Sequence, residues 1–309
     1  MNQVKKRQYL SDLSLLFVAA VWGGGFVAVK SALDTMTPLV LMAYRFILAS
    51  VIMYAFLGKK IGKISKDDFL KGSVPGLILF LAFASQTFGL KYTTASKQGF
   101  LTATYVVMVP FLYWVLTRKR PESKVILGSF LTIIGIGLVS YNKEMVFNRG
   151  DALTLLCALL FAAHIISLEH YTKKVDVLKL SFLQLAIAAA LFTGSALIFE
   201  PINVNLSMDE IGAIVYLAIF STFLCFTVQT IAQKYTTSSH AAIIMSLESV
   251  FAAVFGILIL SEKMTPLMMG GSVLIFVAIL LIEVNFKKKE EKIEIMKNKT
   301  QKNVDHVSS

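Results

Sequence analysis

Ten stretches of this sequence are apolar over roughly 20 residues, the length an α-helix needs to cross the hydrocarbon of a bilayer. They fall near 11–33, 38–57, 69–90, 97–117, 124–141, 151–169, 179–199, 210–234, 240–260 and 265–286. Such a chain has few ways to fold. In lipid, every backbone N–H and C=O must be satisfied within the segment that carries it, so each run is predicted to be a helix. The expected class is all-α: a polytopic membrane protein of ten transmembrane helices. Composition excludes the alternatives. Hydrophobic residues make up 56% and charged residues 16%, against about a quarter charged in soluble domains. Disorder requires low hydrophobicity. The two cysteines, Cys157 and Cys225, both lie in apolar runs, which excludes a disulfide framework and a four-cysteine zinc site.

The first run follows Lys5, Lys6 and Arg7. It is too long for a cleaved signal peptide and lacks a small-residue cleavage site, so it is expected to stay as helix 1. Pro38 and Pro266 suit first-turn positions. Ser207 with Glu210, and Ser65 with Asp68, read as capping boxes. With the N-terminus placed inside, 22 of the 30 Lys and Arg residues fall on the inner side and 5 on the outer. The other three, Lys30, Arg45 and Lys71, lie within predicted helices. This bias predicts a multi-pass protein of the cytoplasmic membrane with both termini cytoplasmic. The net charge of +11 sits in short clusters between apolar runs, a pattern that fits the anionic surface of a lipid bilayer and not nucleic acid.

The chain also repeats itself. Gln86, Thr87, Lys91, Tyr92, Thr93, Thr94 and Ser96 recur as Gln229, Thr230, Lys234, Tyr235, Thr236, Thr237 and Ser239, at a constant offset of 143. Upstream the offset is 139: Asp12, Leu16 and Ala19 meet Asp151, Leu155 and Ala158, and Arg45 meets Gln184. Each half holds five helices. Five is odd, so the second half enters the membrane from the opposite side. Two inverted five-helix repeats are the plan of many secondary transporters. The expected organisation is an N-terminal segment 1–10, a first repeat 11–141, a linker 142–150, a second repeat 151–286 and a basic, disordered tail 287–309.

Several stretches resemble the EamA-type transporters of the drug/metabolite transporter superfamily. They are WGGGFVAVK from Trp22, AYRF with Arg45, TTASKQGFLTATYVVMVP up to Pro110, GDALTLLCALLFAAHII from Gly150, and HAAIIMSLESVFAAVFGILILSEKMT from His240. The resemblance spans about 11–284. It implies a central cavity lined by helices 1–4 and 6–9, helices 5 and 10 peripheral, and in most members export of small metabolites, amino acids or toxic compounds. Two departures stand out. Glu262 keeps the acidic residue expected at the end of helix 9, but its repeat mate is Lys119. Ser249 stands after Glu248 where the pattern often has proline, so helix 9 is expected to run straight there.

Ionisable groups inside a span are costly and mark pathways or partners. Glu248 lies eight residues past His240, near mid-membrane, with Tyr105 as its repeat mate; a carboxyl at that depth is a candidate for substrate contact and for proton coupling. Tyr105, Thr102 and Gln98 are spaced as one helical face, either a cavity wall or interhelical glue. Arg45, seven residues past Pro38, either forks onto an anionic substrate group or snorkels and pins a helix end. His164, Gln184, and the repeat mates Gln86 and Gln229 complete the polar set, each readable as a substrate contact or as helix packing. Trp22 offers its ring to the cavity, while Gly23-Gly24-Gly25 permit close helix approach. Glu169, His170, Lys173 and Lys174 read as a solvated edge.

No metal or other cofactor is expected: His164 and His170 are six residues apart, on different faces, with no cysteine close. The residues that would make an intramembrane enzyme lack an HExxH or paired-aspartate pattern, and no GxxxxGK[ST] loop exists for ATP. The predicted function is a secondary transporter of a small amino-acid-like or drug-like metabolite, exporting it by alternating access. The partners are a small molecule, the bilayer and, as a coupling ion, protons. A uniporter, exchanger or importer is the main alternative, and a channel or intramembrane enzyme the minor one. Oligomeric state has no signature in the sequence.

Overall fold

The computed structural model describes residues 3–118, 120, 123–140, 148–202, 205–278 and 281. Every regular element among them is helical. In order these are α1 (Gln3–Ala32), α2 (Pro38–Ile61), α3 (Lys66–Leu90), α4 (Ala95–Thr102), α5 (Tyr105–Thr117), α6 (Ser123–Ser140), α7 (Arg149–Tyr171), α8 (Val177–Phe199), α9 (Met208–Tyr216), a π-helical segment (Leu217–Leu224), α10 (Cys225–Gln233), α11 (Ser238–Met245) and α12 (Glu248–Leu260). A last apolar helix, α13, covers Pro266–Ala278. Eight stretches are long and apolar enough to cross a membrane, with α4–α5, α9–α10 and α11–α12 each forming one span. The shorter α6 and α13 complete ten.

Local chemistry sets the ends. Pro38 opens α2, where its missing N–H costs nothing. Both expected capping boxes are present: Ser65 with Asp68 starts α3, and Ser207 with Glu210 starts α9. A third, Asn148 with Asp151, starts α7. Thr94 caps α4 and its mate Thr237 caps α11 by the same bond, to the N–H three residues on.

The duplication is visible in the helix ends. Moved by 143 residues, α4 and α5 land on α11 and α12 at both boundaries. The residues just past their ends, Arg118 and Ser261, both adopt left-handed backbone, with φ of 60° and 54°. The halves interlock. α3 packs against α7 and α8, α2 against α8, and α1 against α12 and α10. Small residues make this possible. A Cβ on Gly23 would stand 2.3 Å from Phe251 Cβ and 2.9 Å from the Ala252 backbone nitrogen, so only glycine lets α1 and α12 come this close. The core includes stacked rings, Phe46 on Phe192 at 5.3 Å. The outer surface carries many large apolar side chains, with Phe199 75% and Leu258 72% exposed; a bilayer covers such a face, water does not. α6 and α13 sit at the periphery and meet through Gly135, which lies against Gly271 and Ile275.

Two expectations are corrected. Spans four and nine were expected to be continuous, and span nine to be straight for want of proline. Both are broken just before their central polar residue. At Ala103–Thr104 and at Ser246–Leu247 the backbone tightens to i→i−3 bonds: Thr104 N–H donates to Leu101 O at 3.3 Å and Leu247 N–H to Ile244 O at 3.2 Å. Hydroxyls stand at both breaks, where the sequence has no proline. Thr104 Oγ1 donates to Leu101 O at 2.7 Å and Ser246 Oγ to Ile243 O at 2.6 Å, each competing for a carbonyl of the preceding turn. The second correction concerns Glu169. It is no solvated edge: its carboxylate accepts from Ser238 N–H at 3.0 Å and from Ser238 Oγ at 2.6 Å, capping α11. Lys119, most of the linker and the tail from 282 lie outside the described residues.

Candidate functional site

A cavity lies at the centre of the bundle, where the two halves meet. Its interior leaves about 40 Å³ to the centres of water molecules, room for about three waters at ~10–15 Å³ each. The lining is organised by the duplication. Trp22 and Phe161, Phe26 and Ile165, Phe83 and Phe226, Gln86 and Gln229, and Tyr105 and Glu248 are repeat mates, and every one of them faces this cavity. The cavity therefore straddles the axis that relates the halves. Arg45, Ser221 and Met245 also line it.

Arg45 comes from α2 and is 2% exposed, so it neither snorkels nor pins a helix end. Its Nε donates to Thr222 Oγ1 at 2.6 Å and its Nη2 to Ser221 Oγ at 3.0 Å. Its guanidinium lies over the Phe83 ring, 4.5 Å from the centroid, an attractive cation–π position. No carboxylate among the described residues pairs with it. The partners come from the π-helical segment. A π turn inserts an extra residue and frees backbone carbonyls; the Ser221 carbonyl accepts from Trp22 Nε1 at 2.9 Å. One irregular turn thus orients both Trp22 and Arg45. In the first half, the matching stretch contains Pro75 instead.

Glu248 is 4% exposed and is the first residue of α12; Tyr105, 2% exposed, is the first residue of α5. Each follows the tightened turn of its span. The Tyr105 hydroxyl lies beside the Glu248 carboxyl but makes no hydrogen bond of normal geometry. The buried Gln229 Oε1 is likewise unsatisfied. The site thus holds a buried cation, a carboxyl, a phenol and two amides, set between aromatic rings.

Of the residues singled out in the sequence, Trp22, Arg45, Gln86, Tyr105, Gln229 and Glu248 meet at this cavity. Gln98, Thr102, His164 and Gln184 are fully buried behind its wall. The break at Ala103–Thr104 separates Tyr105 from Gln98 and Thr102; Gln98 Nε2 donates to Gln86 O at 2.6 Å. His164 Nε2 bonds Gln184 Oε1 at 2.8 Å, and Gln184 Nε2 donates to Thr230 Oγ1 at 3.0 Å, joining spans six, seven and eight. Phe83, Phe161, Phe226 and Ser221 were missed in the sequence. The rings were findable, because the offsets pair Trp22 with Phe161 and Phe83 with Phe226. Ser221 carried no signal.

A ten-span helical fold with a polar cavity between repeated halves is the frame of a membrane transporter. The chain belongs to the EamA-like transporter family, whose model matches residues 10–141 and 148–284. It is a multi-pass membrane transporter of small metabolites. An uncharacterized transporter of Archaeoglobus fulgidus is 35% identical over 277 residues, 90% of this chain and 86% of the relative. A probable amino-acid metabolite efflux pump of Escherichia coli is 26% identical over 285 residues, covering 84% and 90%. A protein of known crystal structure shares the fold with a TM-score of 0.68, at 14% identity, covering 92% of this chain and 98% of its own.

Proposed function

We propose that this chain is a secondary transporter that moves a small zwitterionic metabolite by alternating access, in the direction of export. The observation that carries this reading is the cavity built from repeat mates. A site on the axis between two inverted halves is reached from one face or the other when the halves exchange conformations. At about 40 Å³ the site is contracted, so a metabolite enters only when the walls part. Arg45 is the residue we assign to an anionic group: a buried cation with no counter-charge among the described residues leaves that place to a ligand. Glu248, with Tyr105 beside it, takes the cationic group or a coupling proton. Trp22, Phe83, Phe161 and Phe226 hold the body of the molecule, and Gln86 and Gln229 read its polar edge. The E. coli relative, described as a probable amino-acid metabolite efflux pump, fits a zwitterion and export. The distribution of Lys and Arg supports cytoplasmic termini.

Counterflow in proteoliposomes tests this. Labelled amino acids, their N-acetylated and esterified forms, nucleosides and cationic drugs are offered at two pH values. Saturable exchange of an amino acid, lost when either charge of the zwitterion is blocked, is the expected result. Saturable exchange confined to cations would overturn the role given to Arg45. Flux without counterflow would overturn the carrier.

A further inference from the structure

The duplication also placed an ion pair at each end of the bundle, and only one of the two is built on an imidazole. At the end that holds the 91–94 turn, Lys97 Nζ of α4 stands 2.8 Å from Asp151 of α7. At the opposite end, His240 Nε2 of α11 stands 3.0 Å from Asp12 of α1. These pairs are repeat mates on both sides: Lys97 moved by 143 is His240, and Asp12 moved by 139 is Asp151. Each joins the opening turn of a broken span in one half to the first turns of a span in the other. Lys97 is 9% exposed and His240 2%.

We propose that these pairs are the latches of the two ends, and that the histidine makes the latch at its own end open as pH rises. Lysine keeps its charge through the neutral range, whereas imidazole titrates between roughly pH 5 and 8. The sign follows from the partner. Only the protonated imidazolium forms an ion pair with the Asp12 carboxylate; the neutral ring keeps at most a hydrogen bond, so the ionic part of this latch is present at low pH and is lost once the ring gives up its proton. An ordinary lysine–carboxylate pair contains no group of that kind.

The other groups near His240 do not reproduce this. On α1, Arg7 lies over the ring of Tyr235 and Tyr9 is 57% exposed. On α7, Glu169 is held by Ser238 and Lys173, and His170 is exposed beside Lys174. From α5 come Tyr105, deep at the cavity, Tyr113, and Arg118 just past its end. The cavity also leans away from the His240 end. It reaches Val29 and Leu90, while their mates Leu168 and Gln233 are packed shut, Gln233 Nε2 donating to Ile165 O at 3.0 Å. The histidine end is thus the sealed one, where loosening a latch has most effect.

The inference rests on alternating access, and the test reads the two ends without any substrate, so it fails independently of the counterflow result. In protein with Cys157 and Cys225 replaced by alanine, spin labels are placed at Tyr9→Cys and Lys234→Cys for the histidine end. A second pair, Lys91→Cys and Arg149→Cys, reports on the lysine end. Distances are measured by pulsed electron paramagnetic resonance in nanodiscs at pH 5.5 and 8.5. The expected result is a longer-distance population at the histidine end that grows at least threefold with pH, with the lysine end unchanged. His240→Lys abolishes the response. The exchange Lys97→His with His240→Lys moves it to the other end. No pH response at the histidine end, an equal response at both ends, or a response that survives His240→Lys would overturn the proposal. Where the double exchange fails to fold, the parent protein and His240→Lys decide it.

Discussion

Gly23→Ala is expected to destabilise the protein far more than alanine at Gly24 or Gly212. The new Cβ would lie 2.3 Å from Phe251 Cβ and 2.9 Å from the carbonyl carbon of Phe251 and the Ala252 nitrogen. Real Cβ atoms do not approach so closely, and two of these neighbours are backbone, which cannot rotate away. α1 and α12 must move apart by about 1 Å or more, opening contact along a buried seam. Overpacking of this kind costs about 1–3 kcal/mol, and the rigid neighbours place Gly23 at the upper end. Two substitutions serve as internal references. At Gly24 the Cβ meets the Tyr216 hydroxyl at 2.7 Å; that is the far end of a side chain that can swing, at the cost of its 3.0 Å bond to Val21 O, so the loss is about 1 kcal/mol. At Gly212, on α9, nothing lies within 4 Å. There alanine removes the helix penalty of glycine and stabilises by about 0.5–1 kcal/mol. Thermal unfolding of the three variants in one detergent, followed by intrinsic fluorescence, should rank Gly212→Ala above the parent, Gly24→Ala slightly below and Gly23→Ala lowest. Gly23→Ala melting with the parent would refute the reasoning, because the α1–α12 distance would then be free to relax.

Glu248→Gln should alter transport or its pH dependence without lowering expression; unchanged transport across pH would remove Glu248 from the mechanism. Thr222→Val, which deletes the 2.6 Å acceptor of Arg45 Nε, should raise KM for a carboxylate-bearing substrate more than tenfold, an effect of about 1.5–3 kcal/mol for a bond to a charged group, while Thr222→Ser keeps it. An equal loss in both variants would argue against orientation of Arg45 through this hydroxyl. Ser261→Gly relieves left-handed backbone at φ 54° and should stabilise by about 1 kcal/mol in chemical unfolding; a loss of stability would mean that the Ser261 side chain does more than end α12. Glu262→Gln weakens the cap it gives the N–H groups of Ala95 and Ser96, at 2.7 and 3.0 Å. It should lower the melting temperature through the α4 end, and unchanged melting would show the cap to be dispensable.

The large-scale plan was legible because it rests on repetition and length. Runs near 20 residues gave the spans, and the identities from Gln86 to Ser96 gave the inversion. Both Ser-based capping boxes were legible because their chemistry is local. The breaks before Tyr105 and Glu248 were not. Thr104 and Ser246 hydroxyls turn back onto their own helices there, but Ser167 Oγ makes the same bond to His164 O at 2.7 Å within unbroken α7, so residue type alone does not mark a break. Arg45 was visible as a polar residue at depth, yet its surroundings were not, because Ser221 and Thr222 lie 176 and 177 residues away in a segment whose π geometry leaves no mark in composition. Glu169 looked like one charge among several at a helix end; only the fold brings Ser238 to it.

The distance along the chain between Arg45 and its holders has a consequence for biogenesis. A ribosome adding about 5–20 residues per second needs about 9–35 s to make the 177 residues from Arg45 to Thr222. Through that interval the first five spans are in the membrane with an arginine whose hydrogen-bond partners do not yet exist. α3 and α1 wait as well, since most of the surface they bury lies against helices of the second half. The early product must keep water at Arg45 or hold span two short of its final depth until span eight arrives. The N-terminal half alone is therefore an unfinished surface that quality-control proteases and insertion factors would meet in every round of synthesis.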